Sequence, residues 1–373
     1  MKNDHPISKH YIYAVDKIIG ILTPLLIYLF VFLLHIILPG RWVQGYVTKP
    51  GTNEKLRYRL NGIWVLIIVV LSWAGLCYFG VIPWNWVFIY RWYCLSGAIV
   101  FGLIFSIAVV LAYSPVKKSF IADFYFGRAD NIQWWGGIVD LKMWLYMAGA
   151  VMLLINVLSF AAHHYLLYGQ QASPGIYLCA GLFTFFVIDY LIFEEVHLYT
   201  YDLFAEKVGF KLGWGCLAFY PFFYSIPLWT TVAWPNPGTP SYILVLSGLI
   251  FLVSWSLSRG ANLQKYSFKK DPSQSFMGIV PKTITNGKQI LLINGYWGLS
   301  RHINYLGEIG MAIGIVLSAG YSFTIWPWLY PLYYIGLLLP RQLDDHKRCA
   351  LKYGELWSEY VKKVPYRIIP YIY

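Results

Sequence analysis

The stretch Gly295–Ile309, GYWGLSRHINYLGEI, holds more side chains that can do chemistry than its apolar surroundings. Its aromatic rings offer flat faces for stacking, its cationic and amide groups offer hydrogen bonds, and its three glycines permit close backbone approach. This set suits a ligand made of ribose, phosphate and an aromatic ring. An aromatic belt with a helix cap is the structural alternative. The candidate binding residues here are Trp297, Arg301, His302, Asn304 and Tyr305.

A cationic segment, SRGANLQKYSFKKDP, precedes that stretch at Ser258–Pro272. If the segment is helical, Lys265 and Lys269 lie one turn apart on the same face. Two ammonium groups so placed can bind a phosphate. The alternative is a loop that contacts anionic lipid. The sequence contains neither GxGxxG nor a P-loop motif, so a nucleotide would need a site unlike the Rossmann one.

Three carboxylates occur within or at the end of an apolar run, in FVIDYLIFEEVHLYTYD. They are Asp189, Glu194 and Glu195. A carboxylate in hydrocarbon costs about 3 kcal/mol on insertion scales, so the pattern predicts that this cluster faces a polar cavity. A pair of glutamates at the membrane interface is the alternative.

The last segment, Arg341–Tyr373, mixes charges with aromatic rings. Asp344 and Asp345 stand among basic residues where an apolar run ends, and Tyr353, Trp357 and Tyr360 recur at helical spacing. An ordinary solvated helix would show similar charges, so this pattern alone leaves both interpretations open.

The elements that must position these residues are membrane helices. The chain has 373 residues, 58% hydrophobic and 12% charged, whereas soluble domains carry about 25% charged residues. Its apolar runs reach the roughly 20 residues that cross a bilayer. We predict an all-α polytopic membrane protein with about nine to ten transmembrane helices and a cytosol-facing cofactor pocket in the C-terminal half. The candidate spans are Ile18–Pro39, Ile63–Ile82, Tyr93–Tyr113, Leu145–Leu166, Gly175–Tyr199, Trp214–Trp234, Tyr242–Leu257, Ile309–Gly320 and Ile325–Leu339.

The polar clusters all lie in the later part of the chain, so we divide it into two regions. Residues 1–115 are predicted to be N-terminal transmembrane helices, and residues 116–373 to be the catalytic membrane region. The net charge of +12 comes mostly from loops between spans, as membrane topology requires, so we expect membrane lipid and no nucleic acid as a partner. The five cysteines have no disulfide or metal-site spacing, and no metal is expected.

Several motifs together resemble the membrane sterol reductase family, which includes the Δ14, Δ7 and Δ24(28) double-bond reductases and the membrane domain of the lamin B receptor. The resemblance begins near Ser119 and covers the rest of the chain. Its pieces are ADFYFGRADN, DLKMW, YTYDL, GFKLGWG, PFFYS, RGANLQK, GYWGLSRHINYLGE and the Cys-Lys-Tyr-Gly-Trp-Tyr pattern of the tail. The resemblance implies a ten-span fold with two connected cavities, one holding NADPH at the cytosol and one admitting a sterol from the membrane.

The resemblance also implies roles for single residues. Lys265 and Lys269 would bind the cofactor phosphates, and the residues of Gly295–Ile309 named above would line the nucleotide pocket. Asp345 would help to close this pocket, and the chemistry of alkene reduction makes it the candidate acid or stabiliser of positive charge on the substrate. The other residues that would close the cofactor pocket are Arg341, Lys352 and Tyr353. For the same reaction, Tyr190 and Tyr224 are candidate proton relays from the membrane side, with Glu195 behind them.

Two positions depart from the family pattern: Asp344 stands where the family has Arg, and Glu308 where it has Asp. The expected reaction is NADPH-dependent reduction of a sterol double bond, with Δ7 or Δ14 favoured and Δ24(28) possible. The alternatives are an isoprenylcysteine-methyltransferase-like enzyme that uses S-adenosylmethionine, and a non-catalytic sterol-binding membrane protein. The membrane would be the endoplasmic reticulum in a eukaryote and the inner membrane in a bacterium.

Overall fold

A computed structural model gives the fold, and it describes residues 6–49, 51–116 and 119–373, with side chains from Val15 onward. The chain forms two compact units. The first comprises the described residues up to Ala172 together with Phe183–Pro235, and the second comprises Ser173–Leu182 and Asn236–Tyr373.

The first unit is built on long apolar helices, since a helix satisfies its own backbone hydrogen bonds in lipid. One helix, α7, begins in the second unit and ends in the first. The helices are α1 Pro6–Ile37, α2 Gly62–Tyr78, α3 Trp86–Ile89, α4 Arg91–Leu111, α5 Phe120–Phe126, α6 Leu141–Tyr168, α7 Pro174–Ile192, α8 Glu194–His197, α9 Tyr201–Phe204, α10 Phe210–Trp214, α11 Tyr220–Phe223 and α12 Ile226–Trp229.

Two short hairpins complete the first unit: β1 Arg41–Thr48 with β2 Lys55–Leu60, and β3 Gln133–Trp134 with β4 Val139–Asp140. The first hairpin and the residue after it form hydrogen bonds with the C-terminal end of α1. The Arg59 guanidinium donates to the carbonyl of Ile36 at 3.0 Å, and Asn61 Nδ2 donates to the carbonyl of Leu38 at 3.1 Å. These bonds satisfy carbonyl groups that a helix end leaves without intrahelical partners.

The segment predicted as one span over Trp214–Trp234 is divided into short pieces. A π-helical turn, Gly215–Phe219, joins α10 to α11, and α12 follows after a break. Pro221 and Pro227 lie at the starts of α11 and α12, where proline is tolerated because it has no N–H to donate to the preceding turn. The prediction counted apolar residues and gave no weight to these prolines.

The second unit carries most of the candidate binding residues. Its helices are α13 Ser241–Lys270, α14 Tyr296–Leu299, α15 Ile303–Ala319, α16 Ile325–Tyr353 and α17 Glu355–Lys363, and its hairpin pairs β5 Thr283–Thr285 with β6 Ile290–Leu292. Glycines let α15 lie close against α13. A Cβ added at Gly310 would lie 2.1 Å from Ser254 Oγ, and one at Gly314 would lie 2.8 Å from the backbone nitrogen of Phe251. Small residues at such positions let membrane helices pack tightly.

Five helices among the described residues are long and apolar enough to cross a membrane, and two shorter apolar helices accompany them. The prediction of an all-α polytopic membrane protein is confirmed. The total of nine to ten spans and the division at residue 115 stay predictions. The five are Val15–Ile37, Arg91–Leu111, Leu141–Gln171, Pro174–Ile192 and Ser241–Lys270, and the two shorter ones are Gly62–Tyr78 and Ile303–Ala319.

Candidate functional site

The last turns of α13 carry the two lysines of the predicted phosphate site. The helix continues to Lys270, so Lys265 and Lys269 lie one turn apart, as the sequence predicted. Lys265 Nζ lies 5.3 Å from the centroid of the Trp297 ring, and Trp297 Nε1 donates to the carbonyl of Ala261 at 2.8 Å. A cation and an aromatic face therefore meet on one side of α13.

Gln264, which lies in the cationic segment Ser258–Pro272, is a neighbour of the candidate site that the predicted set of binding residues omitted. Its side chain is 3% exposed, and its Oε1 accepts from the backbone N–H of Tyr296 at 2.9 Å. Gly295, at a φ of 65°, makes room for it, since a Cβ there would lie 2.1 Å from Gln264 Nε2. Gln264 could have been recognised from the sequence as an amide side chain among basic residues at the end of a membrane helix.

His302, Tyr305 and Asp345 lie together. The rings of His302 and Tyr305 stack with centroids 4.8 Å apart, and His302 Nε2 lies 4.0 Å from Asp345 Oδ2. Burial lowers the pKa of His302 from 6.5 to about 3, and the charges of Lys265 and Arg301 act in the same direction. Burial raises the pKa of Asp345, while Lys265 opposes that rise. The imidazole is therefore neutral near pH 7, and the carboxyl holds its proton to higher pH than an exposed aspartate.

Asn304 has one amide atom paired and one available. Its Nδ2 donates to Asn262 Oδ1 at 3.3 Å. Its Oδ1 is buried and accepts no hydrogen bond from the described residues. Because buried acceptors normally have a donor, this oxygen fits a ligand that carries an N–H or O–H group.

The Arg301 guanidinium makes more contacts with other protein groups than the sequence predicted. Its NH2 donates to the carbonyl of Pro365 at 2.9 Å, its Nε contacts the carbonyl of Tyr366 at 3.4 Å, and its NH1 lies 3.2 Å from His346 Nδ1. The guanidinium thus ties the start of α15 to α16 and to the end of the chain. Its role as a lining residue of a nucleotide pocket stays a prediction.

Helix α16 carries the remaining cofactor candidates, Arg341, Lys352 and Tyr353, and four of its charged residues recur at spacings of four, three and four. Arg341, Asp345, Arg348 and Lys352 therefore fall on one side of the helix. Lys352 Nζ lies 5.1 Å from the centroid of the Tyr353 ring. The sequence-based set omitted Arg348, although it belongs to this side.

The other predicted catalytic residues lie in the first unit, whereas Asp345 lies in the second. Glu195 Oε2 pairs with Arg41 at 2.6 Å, and the ring of Tyr190 stacks on His197 with centroids 3.9 Å apart. Tyr224 packs edge to face on Tyr220, with ring centroids 4.6 Å apart.

Two of the three residues in the predicted carboxylate cluster, Glu194 and Glu195, are anchored to backbone and to charge, while its position beside a polar cavity stays a prediction. Glu194 Oε2 accepts from the backbone N–H of Gly62 at 3.0 Å, and Glu195 has Arg41 as its partner. Arg41 was missed by sequence reasoning. The only guide to Arg41 in the sequence was the general rule that a buried carboxylate normally needs a paired charge.

Comparisons with known proteins agree with the sequence motifs. The model of the ergosterol biosynthesis ERG4/ERG24 family matches residues 4–373. The match therefore includes the N-terminal spans, where the motifs had given no resemblance.

Three relatives are similar over most of the chain. A Delta(14)-sterol reductase of Arabidopsis thaliana is 34% identical, over 96% of this chain and 100% of the relative. A Delta(14)-sterol reductase of Methylotuvimicrobium alcaliphilum is 33% identical, over 90% of this chain and 79% of the relative. The Delta(14)-sterol reductase TM7SF2 of Mus musculus is 33% identical, over 90% and 82%. These matches confirm the predicted resemblance and the prediction of a sterol-reductase enzyme: the chain belongs to the ergosterol biosynthesis ERG4/ERG24 family.

Proposed function

We propose that this protein reduces a carbon–carbon double bond of a sterol with NADPH, and that the bond is Δ14. The three relatives named above are all Delta(14)-sterol reductases, so Δ14 takes precedence over Δ7 and Δ24(28). The observation that carries the proposal is the partly buried Asp345 carboxyl, whose pKa is raised, beside His302 and within the field of Lys265.

The side chains of the second unit fit a phosphorylated dinucleotide. Lys265 and Lys269 supply paired positive charges for phosphate, Trp297 supplies an aromatic face, and Asn304 Oδ1 is a buried acceptor that a ligand N–H or O–H would satisfy. The residues proposed to hold NADPH are Lys265, Lys269, Trp297, Arg301, His302, Asn304, Tyr305, Arg341, Lys352 and Tyr353.

NADPH, when bound, supplies a hydride, and the protein must supply a proton and hold the reacting groups in place. Asp345 is the proposed proton donor. Burial favours its neutral, proton-bearing form, which an acid needs near neutral pH. The charge of Lys265 favours the carboxylate that remains after the proton leaves. His302 is neutral, so it does not form a permanent ion pair that would hold Asp345 in its ionised form.

The first unit is proposed to contact the sterol and to relay protons to it. Tyr190 and Tyr224 are the proposed proton relay, with Glu195 behind them. Because Glu195 pairs with Arg41, its proposed role is to orient the relay as an anion. Aromatic rings suit a flat tetracycle and can stabilise positive charge that develops on it. The sterol arrives from the surrounding membrane, which is the endoplasmic reticulum in a eukaryote or the inner membrane in a bacterium.

A family match over residues 4–373 does not support the S-adenosylmethionine alternative. An activity assay distinguishes sterol reduction from a non-catalytic sterol-binding role. Protein in lipid nanodiscs is given NADPH with Δ7, Δ14, Δ24 or Δ24(28) sterols, and the products are read by mass spectrometry. A product two hydrogens heavier from the Δ14 sterol supports the proposal. Sterol binding without any reduced product contradicts it, and a Δ7 product with no Δ14 product reassigns the bond.

A further inference from the structure

His346 follows Asp345 directly on α16, and its ring nitrogen Nδ1 meets two donors. Arg301 NH1 and Trp357 Nε1 each lie 3.2 Å from that atom. A guanidinium N–H and an indole N–H can only donate. Nδ1 must therefore be an unprotonated acceptor, which makes His346 a neutral imidazole with its proton on Nε2.

Through these two bonds His346 joins three parts of the second unit. Arg301 belongs to the segment before α15 and also holds the carbonyl of Pro365. Trp357 belongs to α17 and is buried in an apolar cluster with Ile284 of β5 and Tyr360. Asp345, one residue earlier on α16, lies 4.0 Å from His302. The position of Asp345 therefore depends on how α16 is held against its neighbours.

We propose that His346 is a positioning residue for reduction: as a neutral acceptor it clasps α16 to Arg301 and Trp357 and so fixes Asp345, and its protonation opens this clasp. The inference rests on the proposed function for its consequence in catalysis. The clasp itself rests on the two hydrogen bonds.

The charges around His346 make protonation costly. Arg301 from the segment before α15 and Arg367 from the end of the chain are both cations, and Asp345 on α16 is the opposing carboxyl. On α17, Tyr360 stays neutral because burial raises its pKa. Burial and the two arginines together lower the pKa of His346 below 6.5. A proton on Nδ1 would face two N–H groups and add a third positive charge, so it must break both bonds.

The main test uses His346→Asn in nanodiscs, because the amide oxygen of asparagine can accept at the position of Nδ1 and has no acidic form to gain. For the wild type, we expect the NADPH KM to rise about tenfold as the pH falls from about 7.5 to well below 6.5, because the pKa of His346 in the folded protein is lowered from that value. For His346→Asn we expect a smaller rise, which comes from the titration of the NADPH 2′-phosphate alone. His346→Leu leaves two donors without an acceptor, so its KM should be raised about tenfold at both ends of this range. His163→Asn, the same change in the first unit, should keep the wild-type profile.

A second readout needs no substrate. Because the pKa of His346 is lowered in the folded state, the unfolded state takes up a proton first as pH falls below about 6.5. The stabilising contribution of neutral His346 is thus present above that pH and is lost below it. The melting temperature of the wild type should therefore fall more than that of His346→Asn between about pH 7.5 and about pH 5.5.

The two readouts separate the failure of the clasp from the failure of the proposed function. If no sterol is reduced, the proposed function fails, while the melting comparison still decides the clasp. Equal pH dependence of wild type and His346→Asn in both readouts overturns the clasp. Should His346→Asn not fold, Trp357→Phe removes one donor and keeps a ring. The folded-state pKa of His346 should then lie nearer its unfolded value, so the melting temperature of this variant should fall less than that of the wild type between about pH 7.5 and about pH 5.5. An equal fall in both proteins would overturn the proposal.

Discussion

Arg348 Nε donates to Asp344 Oδ2 across 2.6 Å, one turn apart on α16. The sequence motifs led us to expect Arg at position 344, so a negative charge lies where a positive one was expected. Arg348 pairs with that carboxylate and shares a side of the helix with Arg341 and Lys352. The departure at Asp344 therefore comes with a neighbouring cation and does not leave an isolated negative charge.

Replacing Asp344 with Arg should tighten NADPH binding several-fold. The change removes a carboxylate and adds a guanidinium close to the proposed phosphate ligands, and charge-assisted bonds to phosphate are among the stronger ones. The dissociation constant for NADPH, followed by quenching of tryptophan fluorescence, gives the measurement. Asp344→Asn is the control that removes charge without adding any, and it should produce a smaller gain. Unchanged affinity in both variants would mean that position 344 does not face the phosphates.

Lys265→Ala combined with Lys269→Ala should raise the KM for NADPH much more than that for NADH. The lysines are proposed to contact the cofactor's phosphates, including the 2′-phosphate that NADH lacks. A hydrogen bond to a charged group contributes about 1.5–3 kcal/mol, which is about tenfold or more in affinity. Steady-state kinetics with both cofactors gives the comparison.

Lys270→Ala is the matched control for the lysine pair. Lys270 is adjacent to Lys269, but its Nζ lies over the ring of Tyr266 at 4.6 Å, and it is outside the proposed site. Its removal should leave the ratio of the two KM values unchanged. Equal losses for NADPH and NADH in the double variant would remove the assignment of these lysines to the 2′-phosphate.

The sequence predicted the local features of the second unit well. The helical register of Lys265 and Lys269 followed from spacing alone, and α13 has it. The apolar runs identified membrane helices because their length and hydropathy are local properties. Family membership followed from motifs whose residue types recur in order along the chain.

Other features depended on contacts between distant residues. The ties of Arg301 to Pro365 and to His346 span 64 and 45 residues, and no local pattern encodes them. The pairing of Glu195 with Arg41 spans 154 residues. The broken segment after Trp214 was missed for a different reason, since its composition is apolar throughout while its prolines and π-helical turn decide its shape.

Asp345→Asn should abolish turnover while leaving NADPH binding within about twofold of the wild type. The amide keeps the volume of the carboxyl but cannot deliver an acidic proton, and positioned acid catalysis contributes about 10²–10⁴-fold in rate. Single-turnover formation of the reduced sterol and NADPH titration separate the two effects. Asp344→Asn, one residue earlier, should retain turnover. Full activity in Asp345→Asn would exclude it as the acid.

Gly314→Ala should destabilise the protein, because the new methyl group would lie 2.8 Å from the backbone nitrogen of Phe251 on α13. Backbone cannot move as a side chain can, and overpacking of this kind costs about 1–3 kcal/mol. The midpoint of thermal unfolding in detergent should fall. Gly336→Ala is the control: it is also helical, but its added Cβ would meet nothing within 4 Å, so alanine's better helix propensity should leave stability equal or raised by up to about 1 kcal/mol. Equal midpoints for both variants would show that close approach of α15 to α13 does not limit stability.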